Sequence, residues 1–113
     1  MTSLDEARRL ALALPEASEQ PHFDLTSFRV RGKIFATAPP GGGWLNVFLD
    51  EDEAGAYVAE DPAAFQPLYW GQRHRGLRVE LAACPPSRLA EVLAEAWRRK
   101  APKRLAAGFG PAG

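Results

Sequence analysis

Apolar residues recur every three to four positions over Leu4, Ala7, Leu10, Ala11 and Leu14, predicting an amphipathic helix that Pro15 ends. Ser3, three residues ahead of Glu6, is placed as a capping-box pair that satisfies orphan amides at the helix start. From Ser27 the period falls to two: Phe28 and Val30 alternate with Arg29 and Arg31, Gly32 permits a tight turn, and "KIFATA" runs back as the second arm of a hairpin. After the flexible "PPGGG" connector, Leu45, Val47 and Leu49 alternate with Trp44, Asn46 and Phe48 in a third strand. Asp50 and Glu53 are spaced to cap a second helix that packs through Ala54, Tyr57 and Val58 and leaves at Asp61 and Pro62. "FQPLYWG" is a fourth strand, placed at a sheet edge because Pro67 cannot donate to a ladder.

A basic loop from Gly71 to Gly76 then leads into a fifth strand, with Leu77, Val79 and Leu81 on one face and Arg78 and Glu80 on the other. Leu89, Val92, Leu93, Ala96 and Trp97 define the last helix, with a Glu95–Arg99 pair on its polar side and Pro102 as its stop. The predicted fold is α+β: a two-layer sandwich whose five-stranded antiparallel sheet packs one apolar face on the first and last helices, in the order αβββαββα. Residues 1–105 make one domain and 106–113 a flexible tail.

Composition narrows the function. The 113 residues, 46% apolar, suit a single core. No run approaches the roughly 18 apolar residues of a membrane span, and the charged start is unlike a signal peptide, so a soluble cytoplasmic protein without a membrane partner is expected. The one cysteine, Cys84, is followed by Pro85 and Pro86 and is expected to be a small buried apolar residue. Net charge is zero, unlike most obligate nucleic-acid binders, yet residues 1–61 hold 5 Lys/Arg against 11 Asp/Glu and residues 62–113 hold 9 against 3.

Catalytic chemistry finds no support. Neither Gly32–Lys33 nor the glycines at 41–43 have the spacing of a phosphate-cradling loop, and Ser3, Ser18, Ser27 and Ser87 sit at caps or turns without a nucleophile elbow. His22 and His74, with Asp24 and Cys84 as conceivable companions, have no metal-ligand spacing. A non-enzymatic protein with no cofactor and no metal is therefore expected.

What remains is the basic set: Arg29, Arg31 and Lys33 on the first hairpin, Arg73, His74, Arg75 and Arg78 on the second, and Arg98, Arg99, Lys100, Lys103 and Arg104 near the end. Arginine forks on hairpin tips suit phosphate oxygens, and Tyr69 and Trp70 suit stacking on unpaired bases. The same arginines suit guarding a sheet edge against unwanted pairing, with the aromatics as core or edge cover, and the residues alone favour this, since a neutral chain has only modest phosphate affinity. A different class is a protein- or peptide-binding adaptor or homodimer that uses an aromatic patch around Trp44, Phe48, Tyr69 and Trp70. A small-ligand site between sheet and helices near His22 is the third.

"PHFDLTSFRVRGKIFATA", "WLNVFLD", "DPAAFQPLYWGQRHRGLRVEL" and "AEAWRRKAPKRLAA", in that order over nearly the whole chain, resemble successive blocks of the MmcQ/YjbR family. The resemblance implies an αβββαββα fold similar to secretion chaperone-like and frataxin-like domains, and DNA binding through a "double wing" of paired hairpins. It brings no catalytic residues. The wings map to the turn at Arg31, Gly32 and Lys33 and to the loop from Gly71 to Gly76. Family members commonly place tryptophan just before the last strand; this chain has Leu77 after Gly76, so an aromatic role there is lost or falls to Trp70. The implied function is low-specificity nucleic-acid binding by Arg29, Arg31, Lys33, Arg73, His74, Arg75 and Arg78.

Overall fold

A computed structural model describes residues 2–108. The first helix, α1 (Leu4–Leu12), starts as its sequence dictates: the Ser3 hydroxyl accepts from the Glu6 amide at 3.1 Å, and Ala7 and Ala11 form its buried stripe. Six antiparallel strands follow: β1 (Ala17–His22), β2 (Leu25–Val30), β3 (Lys33–Ala38), β4 (Trp44–Phe48), β5 (Phe65–Trp70) and β6 (Arg73–Glu80). Helix α2 (Glu51–Glu60) lies between β4 and β5, and a short 3₁₀ turn leads into α3 (Pro86–Lys100) and α4 (Lys103–Ala107). Ala106 and Ala107, assigned to the expected tail, close α4, and residues 109–113 lie outside the described residues.

The sheet order is β1-β2-β3-β4-β6-β5, so six strands replace the expected five. The added strand, β1, is "ASEQPH", which lacks alternating apolar residues and contains Pro21. It pairs with β2 from Ala17 opposite Val30 to His22 opposite Leu25, and as an edge strand it needs neither a buried face nor a full set of donors. The basic "loop" is also corrected. Its turn is only Gly71 and Gln72, and Arg73 to Gly76 belong to β6. Trp70 pairs with Arg73 across that turn, where Gly71 supplies the positive φ of 64°. The other hairpin turns at Arg31 and Gly32, with φ of 52° and 81°, the left-handed pair that matches strand twist.

Register sorts the two faces of the sheet. Phe28, Ala36, Val47, Leu77 and Pro67 form one cross-strand row, and Ser27, Thr37, Asn46, Arg78 and Gln66 the next, with Gln20 extending it onto β1. The apolar row faces the helices. There α3 buries Leu89, Val92, Leu93, Ala96 and Trp97, and the Trp97 indole N–H donates to the Pro15 carbonyl at 3.0 Å, tying α3 to the end of α1. Tyr57 of α2 packs on Phe65 with ring centroids 5.4 Å apart. Arg99, expected to pair with Glu95 along α3, instead reaches Asp50 and Glu53 at the start of α2.

Two buried acids set an alkaline limit. Burial, with Asp61 adding, pushes the Cys84 thiol from 9.0 to about 11, and burial with Glu95 and Glu91 pushes the Tyr57 phenol from 10.0 to about 12. Both groups are neutral when protonated, and the unfolded chain releases these protons first, so their stabilisation is complete below about pH 9 and is lost as pH rises toward 12. Melting temperature is expected to fall above pH 9 and Tyr57→Phe to shrink the upper part of that fall. A variant that falls as steeply as the parent contradicts the tyrosine assignment.

Candidate nucleic-acid interface

The polar row lies on the face opposite the helices. It is a trough rather than a plane: Ser27 and Thr37 at its centre are 0% and 3% exposed, whereas Trp70 at its flank is 55% exposed. Two irregularities curve the sheet, one where the β2–β3 register slips after Phe28 and one where the β5–β6 register slips after Leu68 and leaves Arg75 as the extra residue. The Ser27 hydroxyl donates to the Gln20 carbonyl at 2.7 Å and accepts from Arg29 Nε at 2.9 Å, and Asn46 donates to the Thr37 hydroxyl at 3.3 Å.

Both hairpin turns leave the same end of the sheet. β3 begins there at Lys33, β4 returns to finish at Phe48, and β6 starts at Arg73, ahead of the Gly76 that faces Phe48. Three strand spacings put the turns about 14 Å apart.

The sequence-predicted residues divide by environment. Arg73 is exposed beside its turn, and Lys33 is exposed beside the other. The Arg75 guanidinium lies over the Trp70 ring at 4.5 Å and the Phe48 ring at 5.7 Å, and that of Arg78 over the Trp44 ring at 4.1 Å. Arg78 Nε is buried without a hydrogen-bond partner, its nearest carboxylate being Glu80 at 3.6 Å. Arg29 is held by Ser27. Arg31 is engaged by Glu16, with Nη2 3.0 Å from Oε2, and the guanidinium holds the Glu16 carboxyl below its usual range. His74 packs edge-on to Tyr69 at 5.3 Å, both line a cleft against α2, and His74 also lines a small cleft with Phe48, Arg75 and Lys100.

The arrangement therefore gathers Arg29, Arg73, Arg75 and Arg78 with Trp44, Phe48 and Trp70 and leaves Arg31 and His74 otherwise engaged. Of the aromatic patch, Tyr69 turns to the helix side. His22 and His74 line different clefts, but the small one at His74 shares Phe48, Arg75 and Lys100 with the His22 groove. Among the described residues, no three His, Cys, Asp or Glu side chains gather as metal ligands. Sequence reasoning missed Phe23, which is 92% exposed, and the place of Lys100, whose side chain reaches the same groove from the end of α3. An apolar residue in the polar stretch "PHFD" is the one signal that pointed to Phe23. Helix α2 carries Glu51, Asp52, Glu53 and Glu60 without a cation of its own, under the strands whose other face bears Arg75 and Arg78, and Arg99 and Arg88 of α3 pair with Glu53 and Glu60.

Fold and site define a small α+β domain with an antiparallel sheet, helices on one face and a basic, aromatic trough on the other. The YjbR family profile matches residues 12–99, and the chain belongs to the YjbR family. It is 27% identical over 127 residues to the uncharacterized proteins Rv2570 of Mycobacterium tuberculosis and Mb2600 of Mycobacterium bovis, covering 96% of each chain. The crystal structure of Deinococcus radiodurans protein DR2400, a DUF419 domain, shares the fold with a TM-score of 0.73 at 20% identity, over 99% of this chain and 85% of that one.

Proposed function

We infer that this domain is a non-enzymatic nucleic-acid-binding module that takes single strands in preference to duplex along the open trough, with the Arg73 end of the second hairpin on the phosphate backbone. What carries this reading is the pairing of arginine with aromatic on the uncovered face, Arg75 on Trp70 and Arg78 on Trp44. Unpaired bases stack on such rings and on guanidinium planes, whereas the bases of a duplex are already stacked on one another. A net charge of zero and few unneutralised arginines favour weak affinity, on the order of 10⁻⁴ to 10⁻⁶ M at physiological salt, without base specificity.

Fluorescence anisotropy with labelled oligothymidylate, a mixed-sequence strand and a duplex, each at low and moderate salt, tests it. Arg73→Ala with Arg75→Ala is expected to weaken both single strands about tenfold and to lower the salt slope by about 1.4, for two phosphates at roughly 0.7 each. No retention of single strands in low salt, or an unchanged double variant, defeats it. A second reading, a self-associating or protein-binding module, is favoured by β5, an edge strand on which Tyr69 and Trp70 are 50% and 55% exposed. A stable dimer in light scattering, with no strand binding, decides for that alternative.

A further inference from the structure

β3 and β4 are joined at only two positions, Ala36 to Val47 and Thr37 to Asn46. Beyond these pairs Ile34 of β3 and Phe48 of β4 line a groove of about 490 Å³ that extends across the trough to His22, Phe23 and Leu25 at the far end of the β1–β2 hairpin. That size lies within the roughly 300–1,000 Å³ range of small-ligand sites. Trp70 and Phe48 form an aromatic corner with centroids 5.9 Å apart and planes at 77°, and His22 and Thr37 supply polar edges. Arg75 and Lys100 enter the same space from β6 and from the last residue of α3.

Two features of this groove bear on what it could hold. Among the described residues neither Arg75 nor Lys100 has a carboxylate partner, because Arg99 occupies the nearby Asp50 together with Glu53. At the rim, Phe23 is the first residue of the two-residue β1–β2 turn and takes the φ of 59° that such a turn requires; it meets His22 edge-on with centroids 4.8 Å apart and leaves its ring 92% exposed. The turn accounts for the backbone angle but not for an aromatic ring left in solvent. Closed over a planar ligand, that ring would be covered.

We propose that this groove seats one nucleotide that ends in a phosphate monoester, with the base between the Phe23 lid and the Trp70–Phe48 corner and the phosphate between Arg75 and Lys100. A terminal phosphate carries roughly two negative charges near neutral pH, against one for a phosphate within a strand, and two unneutralised cations match the former. A purely apolar ligand would strand both cations and the edges of His22 and Thr37. The chemistry is that of a nucleoside 5′-monophosphate, whether free or as the 5′ end of a strand. It rests on the nucleic-acid reading above and deepens it by giving the trough an end.

The test compares two oligothymidylates of equal length, one 5′-phosphorylated and one 5′-hydroxyl, alongside dTMP and thymidine, by anisotropy for the strands and intrinsic tryptophan fluorescence for the monomers. The phosphorylated strand is expected to bind about tenfold more tightly than the hydroxyl strand, and dTMP more tightly than thymidine. Lys100→Gln, at the solvent-facing end of a helix, is expected to remove most of that preference, weakening the phosphorylated strand several-fold more than the hydroxyl strand. Phe23→Ser is expected to weaken dTMP and the phosphorylated strand together. Equal binding of the two strands overturns the proposal and leaves general single-strand binding standing. A preference for dTMP over thymidine without binding of either strand keeps the groove and removes the nucleic-acid reading.

Discussion

Gly76→Ala is expected to lower the melting temperature by more than about 15 °C, with a loss of about 4 kcal/mol or more. A β-carbon at this position would lie 2.0 Å from the Val47 carbonyl oxygen, 2.7 Å from the Leu49 nitrogen and 2.9 Å from the Phe48 Cα. All three are backbone atoms of the adjoining chain, so no side-chain rotation relieves the clash. Relief requires β4 to withdraw from β6, which breaks the pairing of Phe48 with Gly76 and the bond from the Leu49 amide to the Arg75 carbonyl at 3.3 Å. A domain of this size has only about 5–15 kcal/mol in total. Gly71→Ala is the control: a β-carbon there meets nothing within 4 Å, and only the positive φ of 64° opposes it, at about 1–2 kcal/mol. Thermal or urea melts of the two variants compare the effects directly. A Gly76→Ala protein that melts with the parent would mean that β4 and β6 do not meet in this way.

The second large effect is expected at Trp97. Its ring is entirely buried among α1, α3 and the sheet, and its indole N–H holds the Pro15 carbonyl where the chain leaves α1 for β1. Trp97→Ala removes the largest side chain of the core and is expected to cost about 3–5 kcal/mol. Trp97→Phe keeps much of the ring but abandons the Pro15 acceptor and should fall between, about 1–3 kcal/mol below the parent. Urea midpoints at unchanged slope measure both. A phenylalanine variant as stable as the parent would show that the Pro15 contact contributes nothing.

These two residues differ in how far the sequence disclosed them. Trp97 continues the three-to-four repeat of Leu89, Val92 and Leu93, a local pattern that requires no knowledge of its partner. Gly76 reads as the closing bracket of a basic loop, because the backbone that forbids a side chain there comes from a distant strand. The same limit hid β1, whose polar "ASEQPH" has no signal beyond its pairing with β2. That omission carried a second one with it. Glu16 stands at the entrance to β1, so its capture of Arg31 was invisible while β1 was missing, and Arg31 looked like a free cation. The arginine–aromatic stacks were half legible: Arg78 alternates with Leu77 and Val79, so its face follows from period alone, whereas its neighbour Trp44 follows from strand order.

The all-acidic α2 behind β5 and β6 has a bearing on encounter. A particle of zero net charge still has some sense of direction when Glu51 and Asp52 of α2 lie on one side of these strands and Arg75 and Arg78 on the other, although Arg88 and Arg99 of α3 answer Glu60 and Glu53. In the field of a polyanion such a particle would turn guanidinium side first, a weak bias set by those few charges. Low overall charge would then limit how long it stays more than how it arrives.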